Sequence, residues 1–127
     1  MISTGAYNYI NVLQRASEAS AKRHEVISNN IANVDTPNYK RQDVSFQNVL
    51  NGAIHNLSNL DEAVANIDLT TLNANVYTDG SALSYRLDGN NVDIETENAY
   101  LAENQIRYYT LIDSITQEFS RLQSVIK

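Results

Sequence analysis

The sequence contains no cysteine and no tryptophan, and it has only one proline and four glycines. Without thiols there are no disulfide staples and no thiolate metal ligands. Basic residues never run beyond two in succession (Lys22-Arg23 and Lys40-Arg41), so the dense basic surface that nucleic-acid binding normally requires is missing. Apolar runs are only a few residues long, too short for a segment to span a bilayer. The first thirteen residues lack a basic start, an uninterrupted apolar stretch and a small-residue cleavage site, so no cleavable signal peptide is expected.

What is present is moderately apolar and acidic. The 127 residues are 43% hydrophobic, enough for one small domain with a packed core. Eight tyrosines and two phenylalanines supply all the aromatic rings. The seventeen asparagines suit helices joined by polar loops, because asparagine serves turns and tolerates left-handed geometry. The net charge of −6 is divided unevenly: residues 1 to 41 carry a small positive excess and the remainder is strongly acidic. Opposite-signed halves suit contacts between copies of a chain or with related subunits.

Periodicity is strongest at the two ends. Ile10, Leu13, Ser17, Ser20, His24, Ile27, Ile31 and Val34 alternate spacings of three and four, which is a heptad seam. Its middle is small and polar, allowing close approach of a partner. Asp35-Thr36-Pro37 should end this helix near Val34, because a residue before proline is pushed out of helical geometry. A second seam follows Leu101, Gln105, Tyr108, Ile112, Ile115, Phe119, Leu122 and Ile126. Asp88-Gly89-Asn90-Asn91 marks the turn before it. Asp93, Glu95 and Glu97 then place negative charge where the helix dipole favours it. Each helix should be about 45 Å long at about 1.5 Å per residue.

These signals predict a mainly α fold: an antiparallel, coiled-coil-like pair of long terminal helices joined by an irregular central segment. The boundaries are 1–36 for the first helix, 37–91 for the turn and central segment, and 92–127 for the last helix. In the centre, Val44 to Ile54 reads as a short helix or an extended segment, and Ser58 to Leu72 has weak helical spacing. Val76-Tyr77-Thr78 and Ser84-Tyr85-Arg86-Leu87, flanking Asp79-Gly80, read as a small hairpin, with disorder as the alternative for this segment. Further apolar stripes lie off the seams: Tyr9, Val12, Ala16 and Ala19 on the first helix, and Ala102, Ile106 and Tyr109 on the last. A second stripe needs a second partner, either the central segment or another subunit.

The segment Asn30-Ile31-Ala32-Asn33-Val34-Asp35-Thr36-Pro37-Asn38-Tyr39-Lys40 follows directly at the end of the first seam. It resembles the Asn-x-Ala-Asn-x-x-Thr-x-Gly-Tyr-Lys signature of the flagellar rod and hook family, through Asn30, Ala32, Asn33, Thr36, Tyr39 and Lys40. Asn38 stands where the family usually has glycine, and asparagine is the next best residue at positive φ. The short chain, and Leu87 to Glu95 in particular, are similar to a small proximal-rod branch of that family rather than to its FlgC-like sister.

The resemblance implies a structural, non-catalytic subunit of the basal-body rod, a drive shaft outside the cytoplasmic membrane. It implies as partners further copies, FlgC-like rod proteins, the adaptor FliE at the membrane-ring base, and the flagellar type III export apparatus. Export would proceed without cleavage, and Phe46 and Leu50 match a short export motif, with simple core packing as the alternative. Asn30 and Asn33 are open to two readings, local backbone satisfaction or hydrogen bonds between subunits. Tyr39 and Lys40 should anchor the turn on the helix pair.

No cofactor, metal, nucleic acid or small-molecule substrate is expected. His24 and His55 lack ligand spacing, and Asp88 to Ala99 fails the calcium-loop pattern at its sixth and twelfth positions. No serine sits in a nucleophile-elbow context. A helical adaptor or export chaperone that stays in the cytoplasm is the competing reading of size and acidity.

Overall fold

A computed structural model of the chain describes residues 4–55, 59–80 and 86–126. Helix α1 spans Thr4–Ala32, strand β1 Gln42–Val44, helix α2 Phe46–Ile54 and helix α3 Leu60–Ala65. A 3₁₀ turn at Leu69–Thr71 and strand β2 at Val76–Thr78 follow, and helix α4 closes the chain at Ile94–Ile126. Asn30 meets Glu97 while Ser20 meets Asn104, so position falls along α1 as it rises along α4 and the pair is antiparallel.

Local chemistry sets the helix ends. Asn90 donates through Nδ2 to the carbonyls of Asn33, Val34 and Thr36 at 2.8–3.0 Å, tying the turn after α1 to the segment before α4. Asp93 accepts from the amides of Glu95 and Thr96 and so caps α4, with Glu95 and Glu97 in its first turn. Asn59 caps α3 by accepting from the Asp61 amide at 2.9 Å.

The central segment is a second layer against α1. Ala19, Phe46 and Leu72 form a buried cluster, flanked by Val12, Ala16, Val44, Val49, Leu50, Ile67, Leu69 and Ala74. The stripe of Val12, Ala16 and Ala19 therefore finds its partner within the chain. Tyr9, at the head of that stripe, donates its hydroxyl to Asp61 at 2.5 Å.

Both readings of Val44 to Ile54 apply in part: Val44 ends a strand and Phe46–Ile54 is helical. Among the described residues of the Ser58 to Leu72 stretch, only Leu60–Ala65 is α-helical. Val76–Thr78 is a strand, but its antiparallel partner is β1, with Gln42 opposite Thr78 and Val44 opposite Val76. The hairpin expected with Ser84 to Leu87 gives way to this longer-range pairing, and Ser84 and Tyr85 lie outside the described residues.

Leu72 is 1% exposed and closes the core from the central segment. Truncating it removes buried methyl groups and leaves a cavity. Leu72→Ala is expected to lower stability by about 2–5 kcal/mol in urea denaturation.

Candidate functional site

The family-like signature lies where the end of α1, strand β1 and the start of α4 converge. Asn30, fully buried, sits at the centre. Its Nδ2 donates to the Gln42 carbonyl at 2.8 Å and to Glu97 at 3.1 Å. Its Oδ1 accepts from the Gln42 amide at 2.9 Å and from the Tyr39 hydroxyl at 3.1 Å. An asparagine amide offers two donors and two acceptor sites, and all four are used here. Each polar group of the Asn30 amide is therefore engaged within the chain.

The other signature residues brace the turn. Asn33 donates to the Asn29 carbonyl at 2.8 Å and accepts from the Thr36 hydroxyl at 3.0 Å. Asn38 has φ of 61°, the left-handed geometry expected where glycine is usual. Burial and the nearby Glu97 charge raise the Tyr39 phenol above its ordinary value, which keeps the proton it donates to Asn30. Lys40 donates to the Gly89 carbonyl, so Tyr39 bonds to α1 and Lys40 to the turn before α4. Ala32 is exposed.

Beside the signature lies a buried ion cluster that periodicity did not single out. Arg41 reaches Glu97 at 2.5 Å, Asp79 at 2.5 Å and Asp43 at 3.2 Å, tying both strands to α4. Arg23, from α1, holds Asp43 at 2.9 Å. The guanidinium carbons of Arg23 and Arg41 each lie 5.3 Å from the centroid of the Tyr100 ring. Asn91 accepts from the Arg41 amide at 2.7 Å and donates to the Asp79 carbonyl at 2.9 Å. Among the described residues, no buried side-chain nitrogen or oxygen lacks a partner.

Burial alone would raise the Asp43 carboxyl, but hydrogen bonds from Arg23 and the Val44 amide, with the charge of Arg23 and a bond from Arg41, hold it below the ordinary carboxylate value. Burial would likewise lower Arg41, and its three carboxylates reverse that direction. The arrangement is a fixed electrostatic clasp. Among the described residues no group of three or more His, Asp or Glu could hold a metal ion.

The helix seam differs from the expected one in rotation. Ile10 and Ile27 of α1 are buried and Leu13, Ile31 and Val34 half-buried, while His24 is exposed. On α4, Leu101, Tyr108 and Ile115 are half-buried and Leu122 is buried. Ile112, Phe119 and Ile126, however, are 40%, 52% and 60% exposed. The column that alternates with Leu101, Tyr108, Ile115 and Leu122 is Glu97, Asn104, Leu111 and Glu118, one residue earlier than expected. Hydropathy favours the Ile112 column, but the polar column faces α1 because Asn30, Arg41 and Ser20 supply its partners. The signal for this lay in Glu97 and Asn104, two polar residues seven apart beside an apolar column. Phe46 is buried and Leu50 half-buried in the core.

Comparison with known proteins gives this geometry its setting. The family described as Flagella basal body rod protein matches residues 10–40, which cover most of α1, the turn and the signature. That stretch is similar to rod proteins as a class. Beyond it, the chain is 37% identical over 115 residues to the flagellar basal body rod protein FlgB of Bacillus subtilis (strain 168), covering 90% of this chain and 89% of that one. It is 34% identical to the protein of the same name from Borrelia hermsii, covering 96% and 93%. Against that of Escherichia coli (strain K12) it is 30% identical, covering 90% and 89%. The chain belongs to the FlgB family of flagellar basal body rod proteins.

Two outcomes test the clasp. Gly89 has φ of 77°, and an added Cβ would lie 2.5 Å from Asn38 Oδ1. Gly89→Ala should therefore destabilise the fold by about 1–2 kcal/mol from backbone geometry alone, read by thermal denaturation. The depressed Asp43 value makes the clasp sensitive to acid. Its contribution is complete above the unfolded carboxyl value of about 3.9 and disappears as pH falls through the lower folded value. Urea denaturation from about pH 5 down to about pH 2, through and below the ordinary carboxylate value, should show a steeper loss in the native chain than in Asp43→Asn.

Proposed function

We propose that this chain is a structural subunit of the proximal rod of the bacterial flagellar basal body and carries torque as part of the drive shaft. The observation that supports this most directly is a helix pair locked at one end by buried charge, with an apolar column left outward along α4. Ile112, Phe119 and Ile126 form that column, and Ile106 and Tyr109 add exposed apolar surface on the same helix. A shaft subunit needs both properties: internal stiffness against shear, and apolar surface for its neighbours.

The partners in this reading are further copies, FlgC-like rod proteins, and the adaptor FliE at the membrane-ring base. The subunit would reach them through the flagellar type III export apparatus, without signal cleavage. No described helix is long and apolar enough to cross a membrane, which accords with passage to the rod rather than residence in a bilayer. Phe46 and Leu50 are packed against Ala19 and Leu72, so in this reading an export role for them belongs to a state before α2 docks.

Cell fractionation tests the assignment: the subunit is expected in purified basal bodies, and purely cytosolic protein would reject it in favour of a chaperone. The outward column is tested by substitution. Phe119→Asp places charge at an exposed position, so the monomer should keep its helicity and melting temperature while rod incorporation and motility are lost. Ile115→Asp, at a half-buried position, should reduce both monomer stability and incorporation. Normal motility in Phe119→Asp would remove the outward column from the assembly surface.

A further inference from the structure

We propose that the outward column of α4 docks into the cleft between α2 and α4 of a second copy of this chain, so that copies join side to side. This rests on the reading of the chain as a shaft subunit and names the surface that receives the column. The cleft exists because α2 is anchored to α1 through Phe46, packed on Ala19, and stands off from α4. Its volume is about 440 Å³. Ala16 and Ala19 form the floor, Leu50 and Leu111 belong to opposite walls, and Asn48 and Arg107 bring polar groups to the mouth.

The polar groups deeper in the cleft are already paired, Ser20 with Asn104 and Arg23 with Asp43. What remains uncovered is apolar surface, which calls for apolar side chains. The outward face of α4 offers them: Ile106, Tyr109, Ile112 and Phe119 are each at least 40% exposed. Charge agrees with this pairing. Asp113, exposed next to Ile112, accepts a hydrogen bond from Gln117 and has no ion pair among the described residues. Arg107 is paired with Glu103 one turn away, both side chains being largely in solvent, and such a pair contributes little. Docking brings Asp113 of one copy against Arg107 of the next.

A copy cannot fill its own cleft. Arg107 and Ile112 are five residues apart, about 140° around the helix at about 3.6 residues per turn. Column and cleft therefore lie on different flanks of α4, and a contact between them is heterologous. Each copy gives its column to one neighbour and receives that of another. Contacts of this kind continue around a ring or along a helix, whereas column-to-column pairing closes after two copies.

The chain has no cysteine, so introduced thiols report contacts without background. Two differently tagged forms, one with Asn48→Cys and one with Ile112→Cys, both exposed positions, are expressed together in cells lacking the native chain. Basal bodies are then isolated under mild oxidation. A disulfide needs Cα atoms within about 7 Å, so a bond between the two tags marks column against cleft. That mixed disulfide should dominate. Asn48→Trp, which blocks the mouth from an exposed position, should keep the melting temperature of the monomer and lose incorporation. Basal bodies that contain both tagged forms but yield no mixed disulfide would overturn the proposal and leave the shaft reading standing. So would disulfides only between two Ile112→Cys chains, which mark column-to-column pairing, or normal incorporation of Asn48→Trp. Absence of even the unsubstituted tagged chain from basal bodies would remove the shaft reading, and the proposal with it.

Discussion

The guanidinium of Arg41 is the point on which the fold converges. It is buried, it carries a charge that cannot be given up, and it lies between Glu97 of α4, Asp43 of β1 and Asp79 just beyond β2. A buried cation without partners would cost several kcal/mol, so the three acidic residues are required as a set. Tyr100 and Arg23 complete the shell around it. The signature residues then fit around the cluster, with Asn30 joining the β1 backbone to Glu97. The family-like segment thus packs around a charge cluster, and the bonds of Asn30 and Asn33 run within the chain.

This arrangement divides the molecule into two mechanical regions. Near the clasp, directional bonds fix α1, both strands and α4 relative to one another. Farther along, the helices are held by half-buried apolar side chains and by small residues such as Ser17 and Ser20. The central layer adds a second face to α1 through Phe46 and Leu72, while α4 is left without an equivalent cover. That asymmetry explains why the exposed apolar residues gather on α4.

Much of the architecture was legible in the sequence because helical repeats are a local property. The two long helices, their pairing and the turn at Pro37 follow from spacing and residue type, while the positive φ of Asn38 follows from the family resemblance, which has glycine there. The rotation of α4 was not legible, because hydropathy ranks Ile112 and Phe119 above Glu97 and Asn104, and partners for the latter are supplied by residues 67 to 84 positions away. The pairing of Val76–Thr78 with Gln42–Val44 was hidden for the same reason: nothing local distinguishes it from a hairpin. Arg41 gave no signal alone, since its meaning depends on three acids brought together only by the fold.

The span of those contacts also governs when the molecule can become rigid. Arg41 must wait for Asp79 and Glu97, and Asn33 and Val34 must wait for Asn90, before either group of bonds can close. Such distant closures come late, because the chain loses freedom before the contacts repay it. Neither terminal helix can be locked by these bonds without the other, so stiffness arrives only once both are present and paired.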